Sequence, residues 1–351
     1  IHADECSAHS GGPSGEGVSI IQIKSQGALP LELIRSLSPG LREAEIRTLS
    51  PVLPVHSRKG MTVPFVTAKD FLEVLDPTTP LWRYAIRFEA SRGGISEEEV
   101  LGRMEEIIAI MEGSVREGLT GTSYGDRILP PQTGSFQAHL NQGDLLDAGV
   151  LNRMILYTSA IMEVKSSMGV VVAAPTAGSC GALPAAVLGA GHTLGSTREE
   201  LAKAMLAAGL IGVFITSGST FAAEVCGCQA ECGAGSGMAA AALVSLVGGS
   251  TDQALGAASM ALQNTLGLIC DPVANRVEVP CLGRNVLAAS NALACANMAL
   301  AGFDEVIPLD EVIDAMDEVG KSLPRKLRCT ALGGLSVTET SRRIEGELET
   351  G

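Results

Sequence analysis

Three cysteines lie in three segments that glycine and proline interrupt, and their thiols are the groups in this chain best suited to chemistry. Cys228 lies in Glu224–Gly233, Cys270 in Leu268–Val273 and Cys281 in Val279–Asn285. Three thiolates can hold three irons of a cubane cluster and leave the fourth iron open as a Lewis acid. The arrangement therefore indicates a cluster that does chemistry rather than one that only carries electrons.

The spacing of these cysteines leaves other interpretations open. It does not match the closely spaced run of a ferredoxin. Zinc is disfavoured because none of the five histidines lies near the cysteines and the chain has no CxxC pairs. Inert buried cysteines remain a third interpretation, since free cysteine is often buried.

A loop of small residues, Ala173–Pro184, is a candidate substrate site. Thr176 and Ser179 offer hydroxyls, and a helix is predicted to begin near Gly181 with Pro184 in its first turn. The free N–H groups and positive dipole end of such a helix attract a carboxylate. A plain turn between two core helices is the alternative.

Composition indicates the fold class and excludes one class of partner. The 351-residue chain is 46% hydrophobic but only 3% aromatic and has 41 glycines, which predicts a compact all-α protein whose helices pack closely. The net charge is −14 and no long cluster of lysine and arginine is present. Nucleic-acid binding is therefore not expected, because it needs a basic face.

The chain is predicted to comprise an N-terminal accessory segment or arm, residues 1–68, and a helical catalytic domain, residues 69–351. The alternation in Val18–Lys24 favours a short strand in the first part. In the second part, Ser96, Thr197 and Ser250 each precede a Glu or Gln by three residues and predict helix starts.

An apolar stretch at residues 203–223 has the length of a membrane span, but it contains several Gly, Ser and Thr residues and has no basic flank. It is predicted to be a core helix, with no membrane partner. Nine cysteines are too few for a disulfide scaffold, and the first residues are polar rather than signal-like. A reducing cytoplasm is therefore expected.

The cysteine segments and their neighbours resemble the alpha chain of the iron–sulfur-dependent L-serine dehydratase (L-serine ammonia-lyase) family. Several motifs agree in order and spacing, and the resemblance covers roughly residues 70–345. The matching segments are residues 173–179, 224–233, 236–240, 266–273, 279–285 and 328–335.

The resemblance implies an all-helical catalytic domain and a [4Fe–4S] cluster held by Cys228, Cys270 and Cys281. It also implies a β-elimination that needs no pyridoxal phosphate. The open iron would bind the β-hydroxyl of L-serine, a base would remove the α-proton, and the resulting enamine would give pyruvate and ammonia.

Site roles beyond the cysteines are expectations of the same kind. Thr176, Gly178 and Ser179 would bind the substrate carboxylate or amino group, and Arg284 and Asn285 would orient the substrate or the cluster.

The base is not identified. Lys165, His192 and a cysteine thiolate are candidates, although His192 has the place of an ordinary helix-end residue and lysines such as Lys165 usually reach solvent.

Departures from the family pattern leave the substrate and partners open. The segment Leu129–Ser135 stands where a Ser- and Gly-rich loop is expected, Lys165 stands in place of a small polar amide, and Cys329 stands in place of a Glu. The family's beta domain is not found, so a separate beta subunit or a homo-oligomer is expected. An L-cysteine desulfidase-type lyase is the alternative enzyme, and a non-enzymatic iron–sulfur protein is the third hypothesis.

Overall fold

The computed structural model describes residues 62–350, together with residues 5–10, 19–24, 32 and 60. The chain divides into two compact units, residues 1–54 and residues 55–351. In the first unit, strand β1 (Glu5–Ser10) pairs antiparallel with strand β2 (Ser19–Lys24), with Glu5 opposite Lys24. The strand expected at Val18–Lys24 is thus present. The predicted boundary at residues 68/69 stays a prediction, since few residues before it are described.

Helices dominate the described part of the second unit, which confirms the all-α prediction. The thirteen α-helices of that part are α1 (Ala68–Val74), α2 (Leu81–Gly93), α3 (Glu97–Thr120), α4 (Thr133–Gln142), α5 (Val150–Ser166), α6 (Ala182–Leu194), α7 (Arg198–Gly218), α8 (Ala223–Cys226), α9 (Ala234–Leu246), α10 (Thr251–Gln263), α11 (Cys281–Leu300), α12 (Leu309–Ser322) and α13 (Glu339–Thr350). A π-helical turn covers Gln229–Gly233, and 3₁₀ turns cover Val273–Asn275, Arg325–Leu327 and Gly334–Val337.

Polar side chains start three of these helices as the sequence predicts. The side chains of Ser96, Thr197 and Ser250 each accept a hydrogen bond from the backbone N–H three residues later. At Thr197 and Ser250 the Glu or Gln side chain returns the bond, which completes a capping box. At Ser96, the described contacts include no bond from the Ser96 N–H back to the Glu99 side chain.

Helix α9 lies at the centre of the helical unit. Its residues from Ala234 to Val244 are all buried, as expected of a helix that is apolar on every side. It packs against α6, α7, α10 and α11. The site described below is built where the N-terminal ends of α6, α9 and α11 meet the segments that precede them.

Helix α7 is long and apolar enough to cross a membrane, judged by length and composition only. Most of its apolar window is buried inside the described fold, where it packs against α2, α3 and α9. Length and composition alone do not distinguish a buried core helix from a membrane span. The burial and packing of α7 therefore support the prediction of a core helix.

Candidate active site

The segments that carry Cys228 and Cys270 lie side by side. The backbone N–H of Gln229 donates to the Leu268 carbonyl at 3.0 Å, and the Gln229 side chain accepts from the Gly267 N–H at 2.8 Å. Gly227 has a φ of +72°, and a Cβ there would lie 2.8 Å from the Leu268 carbonyl oxygen. Glycine at residue 227 therefore allows the two backbones to approach and brings Cys228 toward Cys270.

A third segment is joined to Cys270 from the C-terminal part of the chain. The Cys270 N–H donates to the Leu327 carbonyl and the Cys329 N–H donates to the Cys270 carbonyl, both at 2.9 Å. The Cys270 thiol also hydrogen-bonds to the sulfur of Cys329, and this bond, followed by burial, raises the pKa of Cys270. The same bond lowers the pKa of Cys329, which is exposed. Cys329, which departs from the family pattern, is thus a neighbour of a predicted ligand.

Cys281 is the first residue of α11. Burial and, next, the charge of Cys228 raise the pKa of Cys281 to about 12, while the charge of Lys165 opposes the shift. Cys228 likewise raises the pKa of Cys270. Cys228 is therefore within electrostatic reach of both other cysteines.

Cys228 has the thiol most disposed to lose its proton among these three. A hydrogen bond from the Cys232 thiol lowers the pKa of Cys228, against the opposing effect of burial. Cys228, Cys232 and Cys270 pack in one buried cluster with Ala182 and neighbouring apolar residues. The three predicted ligands are each less than a tenth exposed, at 3%, 5% and 7% for Cys228, Cys270 and Cys281.

The donor set of the three predicted ligands consists of buried thiols. Among the residues that the structure describes, no three Cys, His, Asp or Glu side chains gather as one metal ion requires. A cubane is less demanding, because each thiolate binds a different corner. Three buried thiols are soft ligands suited to iron–sulfur clusters, and the positive charges of Lys165 and Arg284 favour the thiolate of Cys281.

Asn285 joins the small-residue loop to the start of α11. Its side-chain oxygen accepts from the N–H groups of Gly181 and Ala182 at 3.0 and 2.9 Å. Its amide nitrogen donates to the carbonyls of Gly178 and Cys281 at 2.9 and 2.8 Å. The N-terminus of α6 was expected to attract a substrate carboxylate, but two of its N–H groups are occupied by this amide oxygen.

Arg284 forms an ion pair with buried Asp271, at 2.6 Å between Arg284 Nη2 and Asp271 Oδ1. The other oxygen of Asp271 accepts the Leu335 N–H at 2.7 Å. The pair connects the first turn of α11 to the residue after Cys270. Arg284 thus holds two cysteine segments together, and its charge also lowers the pKa of Cys228.

The hydroxyls of the small-residue loop are occupied inside the site. Thr176 Oγ1 donates to Glu231 Oε1 at 2.6 Å, and Ser179, which is fully buried, shares hydrogen bonds with Thr176. A Cβ on Gly178 would lie 2.8 Å from the same carboxylate oxygen, so glycine is needed for this approach. Glu231 was not predicted as a site residue, although its position three residues after Cys228 was a usable signal.

An open cavity of about 650 Å³ adjoins the cysteine segments. Thr176 and Glu231 belong to its wall. The complete lining is Thr176, Thr216, Ser219, Thr220, Phe221, Ala222, Ala223, Glu224 and Glu231. The cavity has room for a small amino acid beside the candidate cluster.

The two candidate bases are placed far apart. Lys165 Nζ donates to the Val277 carbonyl, and burial lowers its pKa while Cys180, Cys281 and the nearby carboxylates raise it. His192 lies ten residues after Ala182 on α6, which is about 15 Å along the helix axis. Its ring meets Tyr157 at 3.1 Å on an exposed surface. The structure therefore brings Lys165 to the cysteines and supports the helix-end interpretation of His192.

A family model described as "Serine dehydratase alpha chain" matches residues 43–336. The chain belongs to this family. The matched range contains all the cysteine segments and the small-residue loop.

Several characterised or named relatives are similar to this serine dehydratase alpha-chain member. The "Probable L-serine dehydratase, alpha chain" of Bacillus subtilis is 39% identical over 253 residues, which cover 72% of this chain and 84% of that protein. The "L-serine dehydratase, alpha chain" of Peptoniphilus asaccharolyticus is 37% identical over 280 residues, covering 79% and 96%. "L-serine dehydratase 1" of Escherichia coli is 33% identical over 249 residues, covering 69% and 55%.

Two buried carboxylates hold the segment that departs from the family pattern. Glu278 accepts the Leu129 N–H at 2.9 Å, and Glu163 accepts the Thr133 N–H at 3.0 Å. Both carboxylates are at most 6% exposed. In this serine dehydratase alpha-chain member, the segment Leu129–Ser135 is thus anchored to α5 and to the residues before Cys281. Neither carboxylate was predicted, because each partner is more than 29 residues away along the chain.

Proposed function

We propose that this chain is an ammonia-lyase that converts L-serine to pyruvate and ammonia with a [4Fe–4S] cluster and without pyridoxal phosphate. Membership of the serine dehydratase alpha-chain family supports the reaction. The observation that supports the cluster is that the thiols of Cys228, Cys270 and Cys281 are all buried and that the charge of Cys228 acts on both of the others.

The three cysteines would hold the cluster, and Asn285 and Arg284 would keep their segments in place. When bound, the cluster would supply an open iron that acts as a Lewis acid toward the β-hydroxyl of the substrate. The cavity beside Thr176 would receive the amino acid. Of the Thr176–Ser179 turn, Thr176 lies in the cavity wall.

Of the three candidate bases, we propose Lys165, which is outside the cavity wall but close enough to Cys180 and Cys281 for their charges to act on it. Its lowered pKa makes the neutral amine more available at Nζ, which is what removal of an α-proton needs. Loss of the α-proton and the β-hydroxyl leaves an enamine. In water the enamine tautomerises to an imine and hydrolyses to pyruvate and ammonia, so no further group on the protein is required.

A separate beta subunit is part of the proposal. The Bacillus and Peptoniphilus relatives are named alpha chains, whereas this chain spans only 55% of the Escherichia coli enzyme. A homo-oligomer is the other arrangement. A cytoplasmic location is also proposed, supported by eight free cysteines among the described residues.

The substrate is tested by anaerobic turnover of the cluster-loaded protein on L-serine, L-threonine and L-cysteine. Pyruvate without sulfide from L-serine is the expected principal product. Release of sulfide from L-cysteine at a higher kcat/KM would instead make the protein a desulfidase-type lyase. An intact cluster with no turnover of any of the three would contradict an enzymatic role.

The cluster ligands are tested by single alanine substitutions. Cys228→Ala, Cys270→Ala and Cys281→Ala should each lose bound iron and visible absorption. Cys295→Ala is the matched control, since Cys295 is fully buried but bonds to Asn264 rather than to the site. If Cys295→Ala bleaches the protein while Cys281→Ala keeps its colour, the ligand assignment is wrong.

A further inference from the structure

The wall of the cavity carries negative charge that no cation among the described residues neutralises by contact. Two carboxylates, Glu224 and Glu231, line it, and no lysine, arginine or histidine does. None of the ion pairs within 4 Å among the described residues includes Glu231. A half-buried carboxylate without a contacting cation is costly, because burial removes part of its hydration.

Glu231 is held in place although its charge is unpaired. Its Oε1 accepts the Thr176 hydroxyl at 2.6 Å, and the backbone of Gly178 lies against both carboxylate oxygens. One hydroxyl donor leaves lone pairs free on a carboxylate, which can accept about four hydrogen bonds. The second oxygen is therefore available to a donor that enters the cavity.

Glu231 belongs both to the cavity wall and to the segment that carries Cys228. Glu231 lies in the π-helical turn that directly follows Cys228, and its N–H donates to the Cys228 carbonyl at 3.1 Å. A ligand bound to this carboxylate would lie beside the candidate cluster. L-Serine has three polar groups, and only its ammonium group is a cation that donates hydrogen bonds to carboxylates.

We infer that the Glu231 carboxylate receives the α-ammonium group of the amino-acid substrate and so selects amino acids over the corresponding hydroxy acids. This inference rests on the proposed function and assigns one of its substrate contacts. Thr176 acts through Glu231, since its hydroxyl fixes one oxygen of a carboxylate that lines the cavity.

The test is Glu231→Gln in the cluster-loaded enzyme. Glutamine keeps an oxygen for Thr176 but removes the charge. The KM for L-serine should rise roughly 10- to 100-fold, the change expected on losing one charge-assisted hydrogen bond. Inhibition by glycerate, which has a hydroxyl in place of the amino group, should change less than about twofold. Glu106→Gln, an exposed position on α3 with the same charge change, should alter neither value.

Other outcomes distinguish failure of the Glu231 inference from failure of the proposed ammonia-lyase function. Wild-type turnover of L-serine with an unchanged KM in Glu231→Gln would overturn this inference alone, as would equal weakening of serine and glycerate. A wild-type protein that neither binds nor converts L-serine would overturn the proposed function as well. Iron content and the visible spectrum report whether the variant keeps its cluster. Should it lose the cluster, Glu231→Asp keeps the charge and must retain more serine affinity than Glu231→Gln, measured by equilibrium dialysis.

Discussion

Replacing Asn285 with alanine should destabilise the helical unit and loosen the site. Asn285 is fully buried, and its side chain makes four hydrogen bonds of 2.8–3.0 Å to backbone groups of the small-residue loop, of α6 and of Cys281. Alanine removes all four. No water is expected to replace the amide at so closed a position without rearrangement.

The expected loss of unfolding free energy in Asn285→Ala depends on which partners of the Asn285 side chain keep another hydrogen bond. Four net contributions of about 0.5–1.5 kcal/mol each set a range of about 2–6 kcal/mol. The Ala182 N–H also donates to the Ser179 carbonyl at 3.1 Å, so it is not orphaned. The Gly181 N–H has no other backbone acceptor among the described contacts. The expected loss is therefore in the lower half of the range, about 2–4 kcal/mol.

Urea unfolding of the cluster-free protein, followed by its helical circular dichroism, measures the change. Asn297→Ala is the matched control, because Asn297 is exposed on the same helix. The control should stay within about 0.5 kcal/mol of the wild type. A loss below about 1 kcal/mol in Asn285→Ala, or an equal loss in both variants, would refute the reasoning.

Three further predictions concern packing, thiol exposure and pH. Gly118→Ala should lower the unfolding free energy by about 1–3 kcal/mol, since its Cβ would lie 2.3 Å from the Ala160 carbonyl oxygen, whereas Gly102→Ala on the same helix meets nothing and should be neutral or stabilising. Equal melting temperatures for the two would contradict this. In the cluster-free protein, Cys329→Ser should remove a fast-reacting thiol from an Ellman assay, because Cys329 is exposed and the other cysteines from residue 180 onward are buried; an unchanged fast phase would count against it. Burial lowers the pKa of His192, so the unfolded chain takes up the proton first and stability is lost as pH falls from about 6.5 through the folded value. His192→Gln should flatten the dependence of the melting temperature on pH over that interval, and an unaltered slope would exclude this contribution of His192.

Local sequence signals were sufficient for the helical elements and for the cysteine segments. A capping side chain acts on an N–H three residues away, so Thr197 and Ser250 mark helix starts without any distant contact. The apolar stretch that became α7 was correctly expected in the core, because its Gly, Ser and Thr residues suit close helix packing. The start of α11 at Cys281 has no capping side chain, so nothing local distinguishes a cysteine at the end of a loop from one at the start of a helix.

The sequence by itself determined which residue types the site contains, because ligands, loop glycines and helix caps are local in character. Only the tertiary structure decided how they are combined. Thr176 meets Glu231 across 55 residues and Gly178 meets Asn285 across 107, and the same packing separates His192 from the cysteines. Such pairs depend on how α6, α9 and α11 pack, and a buried donor or acceptor takes whichever partner that packing brings within reach.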